Sequence, residues 1–257
     1  MSNWLGKWSK LAASAAAVCL SAWVGSAAQA AEISVIATAG PMPELMGALV
    51  PMFERASGNK VTIKFQAVPQ TLSQLKEGAA ADLLIADAEQ MENFAKAGVV
   101  AQGAPTKIML SRVGLAVKQG APKPDISSPD ALKAALAAAK TVGYSQGASG
   151  QHFATVIQRL GLTDTLKPKS VIVQGKPVGA AVAAGEAEIG IQQVAELMPV
   201  PGIDLVGPLP PDLQKIIVYE AAPAAKAKEA DAAAALIKFI STDAGVAVLK
   251  QKGMSPP

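Results

Sequence analysis

Residues Val142–His152, VGYSQGASGQH, join a strand-like run to a glycine- and serine-rich turn, and an amphipathic helix (FATVIQRLG) follows directly. A turn of this kind directs backbone N–H groups and hydroxyls at an anion, because the first turn of a helix leaves its N–H groups without partners. The same stretch contains Gly143–Gly147, GYSQG, which satisfies the G-x-S-x-G pattern of a nucleophilic serine. One loop therefore supports two interpretations, an anion site and a serine hydrolase.

The hydrolase interpretation requires a histidine that reaches the serine. A nucleophilic serine needs an imidazole to take its proton and a carboxylate to orient that imidazole. The one histidine of the chain is His152, on the helix that follows the turn, and that helix carries it away from Ser145. We therefore expect His152 to be a surface or partly packed residue. A secreted serine hydrolase built on the GYSQG turn is kept as the alternative function.

The N-terminus has the pattern of a secretory signal. Lys7 and Lys10 precede an apolar run, Leu11–Val24, and small residues end in Ala28-Gln29-Ala30. Positive, apolar and small-residue segments in this order are typical of a signal peptide, and the apolar run is shorter than the ~20 residues that span a bilayer. We expect residues 1–30 to be removed by cleavage after Ala30 and the mature protein to act in the periplasm.

Composition excludes several classes of site and partner. Cys19 is the single cysteine and leaves with the signal, so the mature chain has no thiol for a disulfide, a metal site or a nucleophile. One histidine does not supply a zinc or copper cluster, and we predict no metal and no cofactor. Loss of Lys7 and Lys10 lowers the formal charge of +3 to about +1, which disfavours nucleic-acid binding. We expect a monomer.

The mature chain alternates strands with helices. Leu45, Leu49 and Phe53 fall on one face of the first helix, and Ser128 precedes Pro129 at the start of a later one. This alternation predicts an α/β fold with mixed, mostly parallel sheets and helices on both faces. The predicted strands are EISVIATAG, KVTIKFQAV, ADLLIADA, SRVGLAVKQG, TVGY, KSVIVQG and EIGIQQ. The predicted helices are PELMGALVPMFERASG, TLSQLKEG, MENFAKAGVV, SPDALKAALAAA, QHFATVIQRLG, PVGAAVAAGEA and the closing KEADAAAALIKFISTDAGVAVLKQKG.

Neutral polar residues follow the predicted strands. In α/β folds, ligands bind at the carboxyl ends of strands, where helix N-termini point into a crevice. Lys176 is the single cation among these residues, whereas Asp82 and Asp87 are predicted to be a buried strand end and a helix cap. Donors without acids or imidazole pairs indicate a site that binds an anion without reacting with it, so we predict no enzyme activity. The hydroxyl and amide donors are Thr38, Gln70, Thr71, Ser145, Ser149, Gln151, Gln174, Gln192 and Gln193.

The chain resembles a known family over nearly its whole mature length. The segments that carry the likeness are ISVIATAG, EGAAADLLIADAEQMENFAKAGVV, VGYSQGASGQHF, GEAEIGIQQVAEL and FISTDAGVAVLKQKGM. They are similar to the molybdate-binding periplasmic component of ABC importers. The resemblance implies a two-lobed binding protein of type II topology, with lobe 1 formed by residues 31–112 and 212–257 and lobe 2 by residues 113–211. It also implies a small anion held between the lobes by hinge closure and delivered to an ABC permease in the membrane.

Some residues depart from the pattern of that family. Gly40 and Pro41 stand where the resemblance implies a serine turn, Val68-Pro69 replaces a second one, and Gln192 stands in place of a tyrosine. Ser149-Gly150 fits the position of the backbone donor. Glutamine amides reach further than hydroxyls and both donate and accept, so they suit a ligand whose carboxyl or hydroxyl groups lie apart. We therefore predict a small organic acid in preference to the molybdate-like oxyanion that the resemblance implies. A sensor domain that presents its closed form to a receptor fits the same residues. The predicted ligand-binding residues are Thr38, Gly40, Gln70, Thr71, Ser145, Ser149, Gly150, Gln174, Gln192 and Gln193.

Overall fold

A computed structural model describes residues 30–103 and 105–257. Cys19 and the predicted signal segment before Ala30 lie outside the described residues. The strands are β1 (Glu32–Ala37), β2 (Lys60–Phe65), β3 (Leu83–Asp87), β4 (Thr106–Lys118), β5 (Val142–Tyr144), β6 (Ser170–Ile172), β7 (Ile189–Gln193), β8 (Ile203–Pro208) and β9 (Ile216–Pro223). The α-helices are α1 (Met42–Ser57), α2 (Val68–Lys76), α3 (Ala88–Lys96), α4 (Pro129–Ala138), α5 (Ala148–Arg159), α6 (Thr163–Leu166), α7 (Val178–Ala183), α8 (Val194–Leu197), α9 (Ala230–Ile240) and α10 (Asp243–Gln251).

The described strands form one mixed sheet. Their order is β2-β1-β3-β9-β4-β7-β5-β6, and β8 pairs with β4 beside this path. The pairs of β1 with β2 and β3, and of β5 with β6 and β7, are parallel. The antiparallel pairs all include β4 or β9. The sheet therefore consists of two halves that share strand β4. In each half, three parallel strands are followed by antiparallel ones, in the orders β2-β1-β3-β9-β4 and β6-β5-β7-β4-β8.

Strand β4 is the element that both halves have in common. Its first part, Thr106–Arg112, pairs with β9, and its second part, Val113–Lys118, pairs with β7 and β8. The sequence predicted a strand from Ser111, whereas β4 begins at Thr106 and is 13 residues long. Ser111 is fully buried near the change of partners, and its hydroxyl has no hydrogen-bond partner among the described residues.

Two strands are missing from the prediction, and one of them is central. Strands β8 and β9 correspond to IDLVGP and IIVYEAAP, for which the sequence pattern indicated no element. Both end in a proline, Pro208 and Pro223, and a proline beside an apolar run is typical of loops. The position of β9 between β3 and β4 is set by pairing with residues far away in the chain, which local propensity does not report.

The helix α1 packs as its spacing predicts. Leu45, Leu49 and Phe53 are buried, which confirms the predicted apolar face, and the Phe53 ring meets Phe239 of α9 edge to face at 5.6 Å. Ser128 is also confirmed as an N-cap, since its Oγ accepts a hydrogen bond of 3.1 Å from the backbone N–H of Ala131.

The helix α2 begins earlier than predicted. The pattern placed its start at Thr71, but the helix starts at Val68, with Ala67 as its N-cap and a proline in its first turn. Proline is favoured there because the first helical N–H groups have no intrahelical partner. The shift moves Gln70 and Thr71 from the expected turn into the helix. The Thr71 hydroxyl donates to the Ala67 carbonyl at 3.1 Å.

Among the described residues no single helix is long and apolar enough to cross a membrane. Helices α9 and α10 meet the length and composition criteria together, but the chain bends by 62° between them. Leu236 and Ile240 of α9 and Leu249 of α10 are fully buried in the main core. The apolar faces of these two helices are therefore covered by the protein itself.

Candidate functional site

The carboxyl ends of five strands surround a cavity of about 300 Å³. The segments that line it follow β1, β3, β5 and β6 and include the end of β7, which is where ligands bind in α/β folds. Strand β9 adds one side chain from its middle. The lining residues are Thr38, Ala39, Gly40, Asp87, Gln90, Ser145, Gly147, Ala148, Ser149, Val173, Gly175, Lys176, Gln192, Gln193, Glu196 and Tyr219.

A larger groove lies elsewhere on the molecule. Its volume is about 830 Å³, and its walls are formed mainly by residues 123–127 and 206–211. Five consecutive lining residues, 207–211, are prolines or direct neighbours of prolines. None of the predicted ligand-binding residues lines this groove. The smaller cavity is therefore the better candidate site, because it collects the strand ends and the first turn of α5.

Six of the ten predicted ligand-binding residues line the cavity, and four do not. Those that line it are Thr38, Gly40, Ser145, Ser149, Gln192 and Gln193. Those outside its lining are Gln70, Thr71, Gly150 and Gln174. Gln70 is exposed on α2, Thr71 is buried within that helix, and the Gln174 amide donates to the Gln146 side chain at 3.2 Å. Gly150 lies one residue beyond the lining.

The turn before α5 is held close by Gly150. A Cβ on this residue would collide with the backbone carbonyl of Ser145, so only glycine allows the helix to pack against the turn. The N-cap of α5 is Gly147, which offers no capping side chain, and the Ser145 hydroxyl accepts from its N–H at 3.3 Å. The first turn of α5 therefore presents N–H groups to the cavity without a side-chain cap.

The serine hydrolase interpretation finds no support in this arrangement. The His152 Nε2 lies 2.7 Å from the backbone carbonyl oxygen of Leu213 and is engaged there rather than with Ser145. His152 is partly buried, and burial is the main cause that lowers its pKa below the usual value. His152 is not a lining residue. Its expected role as a partly packed residue agrees with this position.

Two consecutive glutamines organise the end of β7. The Gln192 Oε1 accepts a buried hydrogen bond of 2.9 Å from the N–H of Val178, which fixes the orientation of the amide. Its Nε2 is then directed at Glu196 and donates to Oε1 at 2.8 Å. The Gln193 Nε2 donates to the Tyr219 hydroxyl at 3.0 Å. Both amides are thus held by protein partners at the wall of the cavity.

Gly40 brings the first loop close to this network. Its φ of +75° lies in the left-handed region, which side chains other than glycine rarely adopt. A Cβ here would lie 2.7 Å from the Tyr219 hydroxyl oxygen and 3.4 Å from the Gln193 amide nitrogen. Glycine is therefore required by both conformation and space.

The cavity contains acids, contrary to the prediction of an acid-free site. Asp87 and Glu196 both line it. Asp87 is the predicted cap, since its Oδ1 accepts from the Gln90 N–H at 3.0 Å, but the same carboxyl also faces the cavity. Glu196 lies in α8, just beyond the strand end, and was not among the predicted site residues. The Lys176 Nζ pairs with Glu186 at 2.6 Å, so the one lysine in the lining has an acidic partner.

Burial changes the protonation of these groups. It raises the pKa of Glu196 to about 7, against the opposing hydrogen bonds from Gln192 and Gln193. It also raises the pKa of Asp87 and that of Tyr219, where the charges of Glu196 and Asp87 add to the effect. At neutral pH, Glu196 is therefore divided between its neutral and ionised forms, while Tyr219 keeps its proton.

Tyr219 was missed because it belongs to the unpredicted strand β9. In the antiparallel pair of β3 with β9, Asp87 and Tyr219 are register partners, so the acid and the phenol arrive at the cavity together. The aromatic residue within the apolar run IIVYEAAP was the available signal. Within residues 30–103 and 105–257, no group of three potential metal-ligating His, Cys, Asp or Glu side chains is found.

Comparison with known proteins gives a consistent family. The model for bacterial extracellular solute-binding proteins matches residues 34–255. Aconitate isomerase from Pseudomonas sp. is 33% identical over 239 residues, which cover 90% of this chain and 90% of that protein. The molybdate-binding protein ModA of Azotobacter vinelandii is 30% identical over 243 residues, 88% of this chain and 91% of that protein.

A solved structure agrees with these relatives. The periplasmic molybdate-binding protein of Azotobacter vinelandii superposes with a TM-score of 0.70 at 19% identity, covering 88% of this chain and 99% of that chain. This likeness, together with the mixed sheet and its helices, confirms the predicted fold class of two-lobed periplasmic binding proteins. The resemblance to molybdate-binding proteins is also confirmed, by the relatives as well as by the fold.

Ser149 and Ser128 provide a matched pair for a stability test. Ser128 caps α4, whereas the Ser149 side chain makes no capping bond and lines the cavity. We expect Ser128→Ala to lower the free energy of unfolding by about 1 kcal/mol, because a helix N–H loses its partner. Ser149→Ala should lower it by less than Ser128→Ala does, because the Ser149 hydroxyl makes no capping bond and its loss leaves no helix N–H without its side-chain partner. Urea unfolding measures both, and equal losses would assign Ser149 to a structural role.

Proposed function

Because the chain belongs to the family of bacterial extracellular solute-binding proteins, we propose that it captures a small organic acid carrying several carboxylates. The observation that carries this proposal is the lining of the cavity, where glutamine amides and the two carboxyls of Asp87 and Glu196 stand beside the hydroxyls. A tetrahedral oxyanion offers only acceptors, whereas an organic acid in partly protonated form offers donors as well. The relative that is 33% identical is named for aconitate, a tricarboxylic acid, which supports this class of solute.

The proposed binding mode uses both halves of the sheet. We assign residues 31–112 and 212–257 to lobe 1 and residues 113–211 to lobe 2, because the chain crosses between the halves within β4 and again before β9. Thr38, Gly40 and Tyr219 then belong to lobe 1, and the first turn of α5 and the β7 glutamines to lobe 2. Hinge closure brings the two sets onto the solute, so that solute binding favours the closed form.

Each part of the lining has a role in this proposal. The uncapped first turn of α5 and the Ser149 hydroxyl donate to one carboxylate. The Lys176 ammonium attracts another, since a charge-assisted hydrogen bond is stronger than a neutral one. The Gln192 and Gln193 amides are already oriented by hydrogen bonds within the protein. Their fixed positions determine where the further carboxyl groups of the solute bind. Cavity size restricts the solute to small acids.

The proposal extends to delivery and partners. Membership of this family supports transfer of the solute to an ABC permease in the membrane, with the protein acting as a monomer. A sensor that presents its closed lobes to a receptor would use the same cavity, and the identity of the membrane partner separates the two roles. We propose no nucleic-acid partner, no metal and no cofactor.

Export is part of the same proposal. A periplasmic binding protein must cross the inner membrane, and the segment ending in Ala28-Gln29-Ala30 has the pattern of a signal peptide. We expect the exported protein to begin at Ala31. N-terminal sequencing of the periplasmic fraction tests this, and a mature protein that begins at Met1 would contradict it.

A ligand panel tests the solute class. We expect a larger increase in melting temperature with trans-aconitate or citrate than with molybdate or sulfate, because stabilisation by a ligand follows its affinity. A ligand present at about 100 times its Kd adds about 2.7 kcal/mol of stability. Thermal-shift measurements at equal concentrations compare the anions. A strong shift with micromolar molybdate and none with organic acids would instead support an oxyanion carrier.

A matched lysine pair tests whether this cavity is the site. Lys176 and Lys96 are both exposed and ion-paired, but only Lys176 lines the cavity. Lys176→Gln should weaken organic-acid binding by about tenfold or more, the value of one charge-assisted hydrogen bond. Lys96→Gln should leave it unchanged. If the two variants bind the organic acid with equal affinity, the binding site is not this cavity.

A second candidate function is isomerisation of an unsaturated organic acid. Glu196 favours it, because a carboxyl with a pKa of about 7 both accepts and donates protons at neutral pH, as general acid–base catalysis requires. It shares the cavity wall with the protonated Tyr219 hydroxyl. The relative named aconitate isomerase, 33% identical over 90% of this chain, supports the same candidate.

Conversion of cis-aconitate to trans-aconitate tests this second function. Proton NMR of the vinyl signals follows the two isomers during incubation with the protein. If the protein is an isomerase, Glu196→Gln should lower the rate by about 10²- to 10⁴-fold, since the amide neither takes nor returns a proton at this pH. Binding without conversion would leave solute capture as the function.

A further inference from the structure

We propose that Glu196 becomes a neutral carboxylic acid when the anion binds, so that capture of the solute is coupled to the uptake of one proton from solution. The inference rests on the proposed function in one respect, that the solute is an anion held in this cavity. It deepens that function because it makes the affinity depend on pH.

The hydrogen bonds that reach Glu196 come from uncharged donors of Gln192 and Gln193. Gln192 donates to Oε1 at 2.8 Å, and this amide cannot turn over, because its own oxygen accepts from the Val178 N–H. Among the hydrogen bonds of the described residues, no Lys or Arg side chain reaches Glu196. In its neutral form the carboxyl keeps the Gln192 bond at Oε1 and gains an O–H that can donate to a carboxylate of the solute.

The titratable groups that face Glu196 lie on β3, β9 and α1 and in the segment before α7. Each of them is neutral, acidic or already paired with an opposite charge. Asp87, at the end of β3, lines the same cavity. Tyr219 of β9 is neutral, and Lys176, before α7, pairs with Glu186 at 2.6 Å. On the α1 side, Glu44 pairs with Lys252 at 3.2 Å. Among the described residues the lining therefore holds two carboxyl groups, Asp87 and Glu196, against one cation, Lys176, which is shared with Glu186.

The anion shifts the protonation equilibrium of Glu196 in one direction. A like charge nearby disfavours the ionised form of a carboxyl and raises its pKa. Burial already brings the pKa of Glu196 to about 7 in the empty cavity, and a bound carboxylate raises it further. Uptake of the proton is therefore largest above pH 7, where Glu196 of the free protein is mainly ionised. By linkage, affinity must fall as the pH rises through this range.

Isothermal titration calorimetry in two buffers counts the protons. The slope of the observed enthalpy against the ionisation enthalpy of phosphate and Tris buffers gives the number taken up. With trans-aconitate at pH 8, a group whose free pKa is about 7 should take up most of one proton, and binding should be weaker than at pH 7 by up to about tenfold. Glu196→Gln should take up none and bind equally at both pH values.

Control variants assign the proton to one carboxyl. Glu92→Gln changes an exposed acid of α3 and should behave as the unchanged protein does. Asp87→Asn keeps an oxygen for the cap and should retain the uptake. His152 does not interfere, because its pKa is lowered and it stays neutral at pH 7 to 8. Uptake that persists in Glu196→Gln, or that disappears in Asp87→Asn alone, would overturn the proposal.

The same titration with molybdate separates this inference from the proposed function. If molybdate binds and trans-aconitate does not, the organic-acid function fails, yet uptake that depends on Glu196 still supports the proton coupling. If trans-aconitate binds without proton uptake, the coupling fails and the function stands. Absence of binding by both anions contradicts both proposals.

Discussion

One strand, β4, carries hydrogen-bonded pairings of both halves of the sheet. Its first part pairs with β9 and its second part with β7 and β8, so the backbone bonds of each half end on the same strand. The carboxyl ends of the parallel strands on either side consequently meet at one cavity. The site exists because this shared strand fixes which loops face each other.

The cavity combines features that oppose each other electrostatically. The first turn of α5 and Lys176 favour anions, whereas Asp87 and Glu196 repel them when ionised. Burial resolves the conflict by disfavouring the charged form of both acids. The cavity therefore attracts carboxylates best while its own carboxyls are neutral. Such a cavity suits organic acids, which both donate and accept hydrogen bonds, better than oxyanions, which only accept them.

Local sequence patterns predicted part of the site, and distant pairing determined the rest. Ser145, Ser149, Gln192 and Gln193 follow strands that alternation reveals, so their convergence was predictable from the topology of α/β folds. Tyr219 was not, because its strand is placed by pairing with β3 and β4 and its sequence contains loop signals. Thr71 lies within α2 and outside the cavity lining, because the helix begins three residues earlier than its pattern predicted.

The position of Tyr219 in the cavity wall gives the molecule an optical property. The chain has three tryptophans, Trp4, Trp8 and Trp23, and two tyrosines, Tyr144 and Tyr219. The proposed cleavage after Ala30 would remove every tryptophan, and the ultraviolet emission of the mature protein would then come from the two tyrosines alone. Because one of them touches the cavity and the other lies in the strand that leads to its turn, we expect tyrosine fluorescence to change when the cavity is occupied, without an attached dye.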